Sequence, residues 1–395
     1  MLVEFGEQIL LKGMFSMAFP AIKEIRWTYG FDDVAISPGQ VTINPDQTDI
    51  SFSIGPHEFS VPILASAMDA VVSPQFAVAL GKLGGLGVLN LEGVWTRYQN
   101  AEEILSEIAI SPKSEVTQVF QRVYSSPIND DLVGIRVREI KDQGGICAVA
   151  VTPQNAKRLS SIAVDAGADI LFVQATVTTA RHISKSYKGL VFSELVQSVD
   201  IPIIVGNCVT AGAALELMET GIDGLLVGVG PGAACTTREV VGVGLPQVTA
   251  TLECASARQE YYRRSGKYID IITDGGIRTG GDLCKAFASG SDAVMLGTPF
   301  AQTNEAPGGG FNWGMATSHP SLPRGTRISV GTKGSLQQLL FGPSTVTDGT
   351  MNLVDALKVC MGMVGAFDIR EMQNAELVYA PDIKIEGKAF QMGLA

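Results

Sequence analysis

The chain of 395 residues sets 40 acidic against 29 basic side chains, for a net charge of −11, and is 46% hydrophobic and 17% charged. That balance suits a globular protein with a full core and argues against a general nucleic-acid or anionic-membrane surface, while leaving room for a local phosphate site. Six cysteines without a CxxC pair and three histidines without HxH or HExxH spacing argue against a disulfide framework and a metal hydrolase; reduced thiols in a cytoplasmic protein are expected.

In chain order, residues 1–28 open with MLVEFGEQILLKGMFSMAFPA, which carries Glu4, Glu7 and Lys12 and lacks a basic leader. Its apolar run is too short to span a bilayer, so it reads as an N-terminal arm. From residue 29 to 395 we expect a single domain. Eight apolar runs recur there: SVPILASAMD (60–69), GGLGVLNLEG (84–93), GICAVAVTP (145–153), ADILFVQAT (168–176), IPIIVGNCVT (201–210), DGLLVGVGPG (223–232), IDIITDGGI (269–277) and DAVMLGTPF (292–300). Continuous rather than alternating hydrophobicity suits strands covered on both faces, as in a parallel sheet. Amphipathic stretches lie between them, among them NAKRLSSIAVDAGA (155–168), TAGAALELMETG (210–221) and GGDLCKAFASG (280–290). Eight strands alternating with helices predict a (β/α)8 barrel; an open doubly wound sheet is the rival, because periodicity does not show closure. Ser66, Met68, Asn90, Gln174, Asn207, Cys235, Asp274 and Gly297 all fall at or just past strand ends, the face of a barrel where chemistry gathers. Residues 302–350 have little regular pattern and read as a functional flap.

Two stretches carry the chemistry. LLVGVGPGAACTTREVVGVG (225–244) holds Cys235 in a loop opened by Gly230 and Gly232, with Thr236 and Thr237 beside the thiol. An accessible loop sulfur suits a nucleophile, and a small packed hydrophobe is the alternative. TDGGIRTGG (273–281) ends a strand on Asp274, which can accept both hydroxyl protons of a ribose; Gly275 and Gly276 then bare their N–H groups to a phosphate. VMLGTPF ends the next strand with Gly297 and Thr298, completing the phosphate position that recurs after the last two strands of such barrels.

GVGPGAACTTR, then GVGLPQ, then TDGGIRTGGDLCKAFASGSDAVMLGTPFA and NEAPGG resemble the IMP dehydrogenase/GMP reductase family, as do YGFDDVAISPG (29–39), ILASAMDAVVS (63–73), GGLGVLN (84–90) and IVGNCVT (204–210) upstream. The resemblance runs in family order from Tyr29 to the C-terminus. It implies a (β/α)8 barrel, usually a homotetramer, acting at C2 of a purine nucleotide monophosphate with NADPH or NAD. By it, Cys235 is the nucleophile; Asp274 holds the ribose; Gly275, Gly276, Gly297 and Thr298 hold the phosphate; and Ser66, Met68, Asn207 and Met315 complete the nucleotide site. Thr237 and Glu305 match the pair that moves the proton of water or ammonia. Gln174, Ala175 and Thr176 fall at the nicotinamide side. The carbonyls of Gly230, Gly232 and Cys235 match a site for potassium, to which Glu386 of a neighbouring copy would add.

Four departures bear on the reaction. Residues 91–144 leave no room for the pair of regulatory (CBS) modules most dehydrogenases insert. Between Ala316 and Thr332 the Arg-Tyr pair of the dehydrogenase flap, whose arginine activates water, is absent; Arg324 and Arg327 are the arginines present. Ala233 stands where the family has a phosphate-binding serine, and Gln174 where it has an aspartate. Loss of a positioned base slows hydrolysis by about 10²–10⁴-fold. The expectation is therefore GMP reductase chemistry, GMP and NADPH giving IMP and ammonia. IMP dehydrogenase chemistry (IMP and NAD giving XMP) and a non-catalytic nucleotide-binding protein are the alternatives. His182 reads as a surface or supporting residue, and Trp95 and Tyr98 as packing.

Overall fold

The computed structural model describes residues 24–183, 189–388 and 391; residues 1–23, most of the expected arm, lie outside them. Eight parallel strands close on themselves in chain order: β1 (Ile63–Ala65), β2 (Leu86–Asn90), β3 (Ala148–Val151), β4 (Ile170–Gln174), β5 (Ile203–Cys208), β6 (Gly224–Val227), β7 (Asp270–Asp274) and β8 (Ala293–Leu296). Each falls inside one of the eight apolar runs. Closure is made by β8 against β1, Val294 facing Ile63 and Met295 facing Leu64, which removes the open-sheet rival.

The unbroken hydrophobicity has a structural reason. Leu64, Val88, Ala150, Phe172, Ile204, Leu226, Ile272 and Met295 fill the barrel, together with Ile54 and Phe59 of the hairpin Phe52–Ile54/His57–Phe59. The intervening Ile63, Val149, Leu171, Val205, Leu225, Ile271 and Val294 join the surrounding helical core. Both faces are dry, so neither admits the polar alternation of a half-solvated strand. A methyl group on Gly55 at the hairpin tip would meet Pro202, just before β5. The hairpin therefore plugs the N-terminal end of the barrel and leaves the C-terminal end open.

The outer helices are α1 (Pro74–Lys82), α2 (Ala101–Ile110), α3 (Val116–Ser125), α4 (Asp130–Lys141), α5 (Ala156–Asp165), α6 (Phe192–Ser198), α7 (Ala211–Met218), α8 (Thr237–Val241), α9 (Gln247–Ser265), α10 (Gly280–Ala288), α11 (Thr298–Ala301), α12 (Leu336–Phe341), α13 (Leu353–Val364) and α14 (Ile369–Met372). Their starts follow local capping chemistry: Ser73 accepts the Phe76 N–H, Thr210 that of Ala213 and Thr279 that of Asp282. Between β2 and β3 stand only α2, α3 and α4, with no inserted module. No helix among the described residues is long and apolar enough to cross a membrane. Val34–Ile36 pairs antiparallel with Leu377–Tyr379, tying the two ends of the chain together outside the barrel.

The flap is more ordered than its sequence suggests. It contains a two-residue ladder (Phe311–Asn312 with Ile328–Ser329), a 3-10 turn at Met315–Ser318, and α12. It lies on the cysteine loop: Cys235 is bridged to Gly325, and Thr326 N–H donates to the Ala234 carbonyl at 3.1 Å.

Candidate active site

The loops at the C-terminal ends of the strands enclose a cavity of about 1730 Å³. A drug-sized ligand takes a pocket of about 300–1,000 Å³, so the space suits a nucleotide and a second ligand side by side. Fifteen of the eighteen residues given a site role by the resemblance line it; Thr237, Glu305 and Glu386 do not.

The loop that carries Cys235 packs directly on the turn that follows β7. β6 ends at Val227, and the chain turns through Gly228, at φ 150°, and Gly230, at φ 72°, conformations that side chains resist. Pro231 and Gly232 then back onto the turn after β7. There Gly275 and Gly276 have φ of 80° and 81°, and a methyl on Gly276 would lie 3.1 Å from Pro231 Cβ. Cys235 is half-buried at the mouth of the cavity, its thiol 3.1 Å from the Thr237 hydroxyl. Thr237 itself is buried at the start of α8 and touches the cavity only through that sulfur.

Just past β8, Asn312 Nδ2 donates to Thr298 Oγ1 at 3.0 Å. A methyl on Gly297 would sit 3.1 Å from the Met68 sulfur and 3.6 Å from Ser66 Oγ, so these three pack as one wall. Asp274 stands beside this wall, at the end of β7, where it pairs with Met295 of β8. Its Oδ2 accepts Asn207 Nδ2 at 2.7 Å. Burial pushes this carboxyl up to about 6, although the Asn207 N–H pulls it back. Asn207 reaches it from an irregularity in β5, where the pairing with β6 slips between Gly206 and Cys208 and redirects the intervening side chain.

Gln174, Ala175 and Thr176 line the cavity past β4, and Gln174 Oε1 is buried without a hydrogen-bond partner. An unmet acceptor on a cavity wall fits a ligand that brings an N–H or O–H, as a nicotinamide dinucleotide does. Potassium fits less well. The Gly232 carbonyl already accepts the Cys235 N–H at 3.0 Å, so three loop carbonyls, one of them engaged, are too few oxygens for a hard-cation shell.

Glu305 departs from expectation. It is exposed, and its Oε2 accepts the Leu336 N–H at 3.0 Å, at the start of α12. The free N–H groups and positive end of that helix draw the carboxylate away from the cavity. Arg327 is also committed elsewhere: its guanidinium donates to the carbonyls of Ile108, Ala109 and Ser111 at the end of α2 and lies 4.6 Å above the Phe311 ring. Of the two flap arginines, Arg324 lines the cavity, next to the Gly325 that pairs with Cys235. Sequence reasoning missed Glu92, Arg97 and Tyr124 on the cavity wall. Glu92 is buried and accepts Thr152 N–H at 2.5 Å and Asn155 Nδ2 at 2.7 Å. Its place beyond Asn90 at a strand end was the available signal; Tyr124, in α3, had none. His182 lines the cavity as well. Trp95 is buried and Tyr98 hydrogen-bonds the Val123 carbonyl, in keeping with packing.

Residues 28–318 match the family model for the IMP dehydrogenase / GMP reductase domain. The chain is 38% identical over 361 residues to an uncharacterized oxidoreductase of Mycolicibacterium smegmatis, covering 89% of this chain and 96% of that protein. It is 28% identical over 475 residues to the inosine-5'-monophosphate dehydrogenase of Methanocaldococcus jannaschii, covering 89% and 92%. Among solved structures, an IMP dehydrogenase/GMP reductase-like protein from Corynebacterium glutamicum superposes with a TM-score of 0.86 at 33% identity, covering 94% of this chain and 100% of that one.

Proposed function

The chain belongs to the IMP dehydrogenase/GMP reductase family of NAD(P)-linked oxidoreductases, and from that premise we propose that it oxidises C2 of inosine monophosphate through a covalent adduct on Cys235. The observation that carries the proposal is the packing of the Pro231–Gly232 segment, on the way to the Cys235 sulfur, against the Gly275–Gly276 turn. A nucleotide whose phosphate rests on that turn presents its base along the wall where the thiol opens.

Each residue then has a task. The N–H groups of Gly275 and Gly276, with Gly297 and Thr298, hold the phosphate. Asp274 accepts the ribose hydroxyls and is itself oriented by Asn207. Ser66, Met68 and Met315 border sugar and base. The Thr237 hydroxyl, 3.1 Å from the sulfur, positions the thiol and takes part in its proton's departure. Thiolate addition makes C2 tetrahedral, so that its hydride can leave; the C2–S bond remains as a thioimidate, which water then cleaves to give xanthosine monophosphate and free thiolate. Gln174, Ala175 and Thr176 would hold a nicotinamide cofactor, which would supply the hydride acceptor. NAD or NADP would both fill that role, and self-association into a tetramer is part of the same reading, supported by exposed Val359, Met363 and Phe367 on and just past α13.

One finding moves the preferred direction from reductase to dehydrogenase: three curated relatives with a named reaction, from Methanocaldococcus jannaschii, Cryptosporidium parvum and Aquifex aeolicus, are inosine-5'-monophosphate dehydrogenases. Glu305, expected to move the proton of water or ammonia, is held at α12 and favours neither direction. Reduction of GMP is the second reading, favoured by the missing Arg-Tyr pair. Nicotinamide absorbance decides between them: a rise with IMP and NAD(P) supports the dehydrogenase, and a fall with GMP and NADPH the reductase. Cys235→Ser is expected to abolish either signal while leaving nucleotide binding intact. Undiminished turnover in that variant removes the covalent mechanism.

A further inference from the structure

A buried hydrogen-bonded chain that the site reading does not use meets the cavity wall at its middle member. Trp313 Nε1–H donates to the Tyr124 hydroxyl at 3.0 Å, and Tyr124 donates to Asp69 Oδ2 at 2.7 Å. The same carboxylate oxygen takes the Val94 N–H at 2.8 Å. The other, Asp69 Oδ1, is buried with no hydrogen-bond partner. Trp313 and Asp69 are each 1% exposed and Tyr124 9%, and of the three it is Tyr124 that lines the cavity. Leaving a buried carboxylate oxygen without a protein partner is unfavourable, so the arrangement calls for a use.

Its location supplies one. Asp69 follows Met68, whose sulfur packs against Gly297, and Trp313 lies two residues before Met315. Tyr124 is therefore fixed between the segments carrying the two methionines that border the nucleotide. Its hydroxyl gives its proton to Asp69 and accepts one from Trp313, and a phenolic oxygen can accept another from the cavity.

We propose that Tyr124 and Asp69 together are the proton acceptor for the water that releases the nucleotide from Cys235. This rests on the dehydrogenase reading. As the water oxygen bonds to C2, one of its O–H bonds breaks and that proton passes to the Tyr124 oxygen, while the tyrosine's own proton passes to Asp69. The C2–S bond then breaks, sulfur leaving with the electron pair as thiolate, and Asp69 later returns its proton to solvent. No electrons change hands in this half, so no further reactant is needed. Burial pushes the Asp69 carboxyl up to about 6, against the pull of the Tyr124 hydroxyl, the Val94 N–H and the facing Arg97 guanidinium; Arg97 in turn faces Glu92 and Tyr98. Such a group is ionised at neutral pH yet able to hold a proton. Burial and the Asp69 charge lift the Tyr124 hydroxyl far above its ordinary range, so it serves by passing a proton on, not as a standing phenolate.

The test is rapid mixing of the full-length protein with IMP and NAD(P), following the nicotinamide burst, steady turnover and the mass of the Cys235 peptide. Asp69→Asn keeps the shape of the acceptor, and Tyr124→Phe keeps the ring. Both are expected to leave the burst within about twofold of wild type and to slow steady turnover by about 10²–10⁴-fold. The adduct should accumulate on Cys235. Turnover at the wild-type rate in both variants overturns the proposal, as does equal loss of burst and turnover without accumulation, the signature of a chain that merely holds the Trp313–Met315 segment in place. A wild-type protein giving neither burst nor adduct sinks the dehydrogenase reading, and the relay with it.

Discussion

Asp274 shows how one side chain sets a pH limit. On the proposed reading the ribose hydroxyls need an acceptor, so nucleotide would bind the ionised form, and burial pushes that carboxyl up to about 6. The kcat/KM for nucleotide should therefore fall as pH drops through about 6, approaching tenfold per unit. Asn207→Ala removes the N–H that favours the carboxylate. A hydrogen bond to a charged group contributes about 1.5–3 kcal/mol, equivalent to about one to two pH units, so the acid limb should move up in pH by that amount. A limb that stays put in Asn207→Ala would remove Asp274 from nucleotide binding. The Asp69 limb is separable, since it belongs to the hydrolytic step and appears in kcat. Asp274 was legible in sequence because a strand-ending aspartate before two glycines has few other uses. Tyr124 was not, because a tyrosine on an amphipathic helix looks like any packed aromatic until a distant tryptophan and aspartate close on it. Glu305 misled for the reverse reason: sequence gives its neighbours in the chain, and not the helix N-terminus that captures it.

At the scale of elements, the strands were readable and the flap was not. A buried strand carries its own signature in consecutive apolar residues. The flap instead draws its order from contacts with other elements, chiefly the Cys235–Gly325 bridge and the Arg327 strap onto α2. Arg327 donates to carbonyls left open at the end of that helix, where a positive charge also meets the helix dipole. This predicts a separation between flap order and overall stability in Arg327→Ala. Losing charge-assisted bonds of about 1.5–3 kcal/mol should raise cleavage within residues 316–330 under limited proteolysis by about tenfold or more and raise KM for nucleotide. The barrel, packed independently beneath, should keep its Tm within a few degrees. Unchanged proteolysis would show that the Cys235–Gly325 pairing alone holds the flap.

Across the whole molecule, the barrel separates chemistry at one end from stability at the other. At the N-terminal end, Asp292 collects Arg258 at 2.7 Å, the Tyr268 hydroxyl at 2.7 Å, Gln373 Nε2 at 2.9 Å and the Ile271 N–H at 2.8 Å. Asp270, at the start of β7, is the second carboxyl of this cluster. Burial first and the charge of Asp292 second push it up to about 8, against Arg370 and Arg258, with Asp223 adding to the rise. The folded state thus prefers Asp270 protonated, whereas an unfolded chain ionises it near its ordinary value of about 4. The stability this group contributes is complete below about pH 4 and is lost as pH rises to about 8. Asp270→Asn fixes the neutral form, so its gain in Tm over wild type should grow from about pH 4 to about pH 8 and level off beyond. Because the cavity lies at the other end of the strands, kcat at neutral pH should stay within about twofold. Thermal denaturation of both proteins at three pH values checks the first half, and the nicotinamide assay the second. A Tm difference independent of pH would mean that Asp270 is already ionised in the fold, with Arg258 and Arg370 carrying both carboxylates.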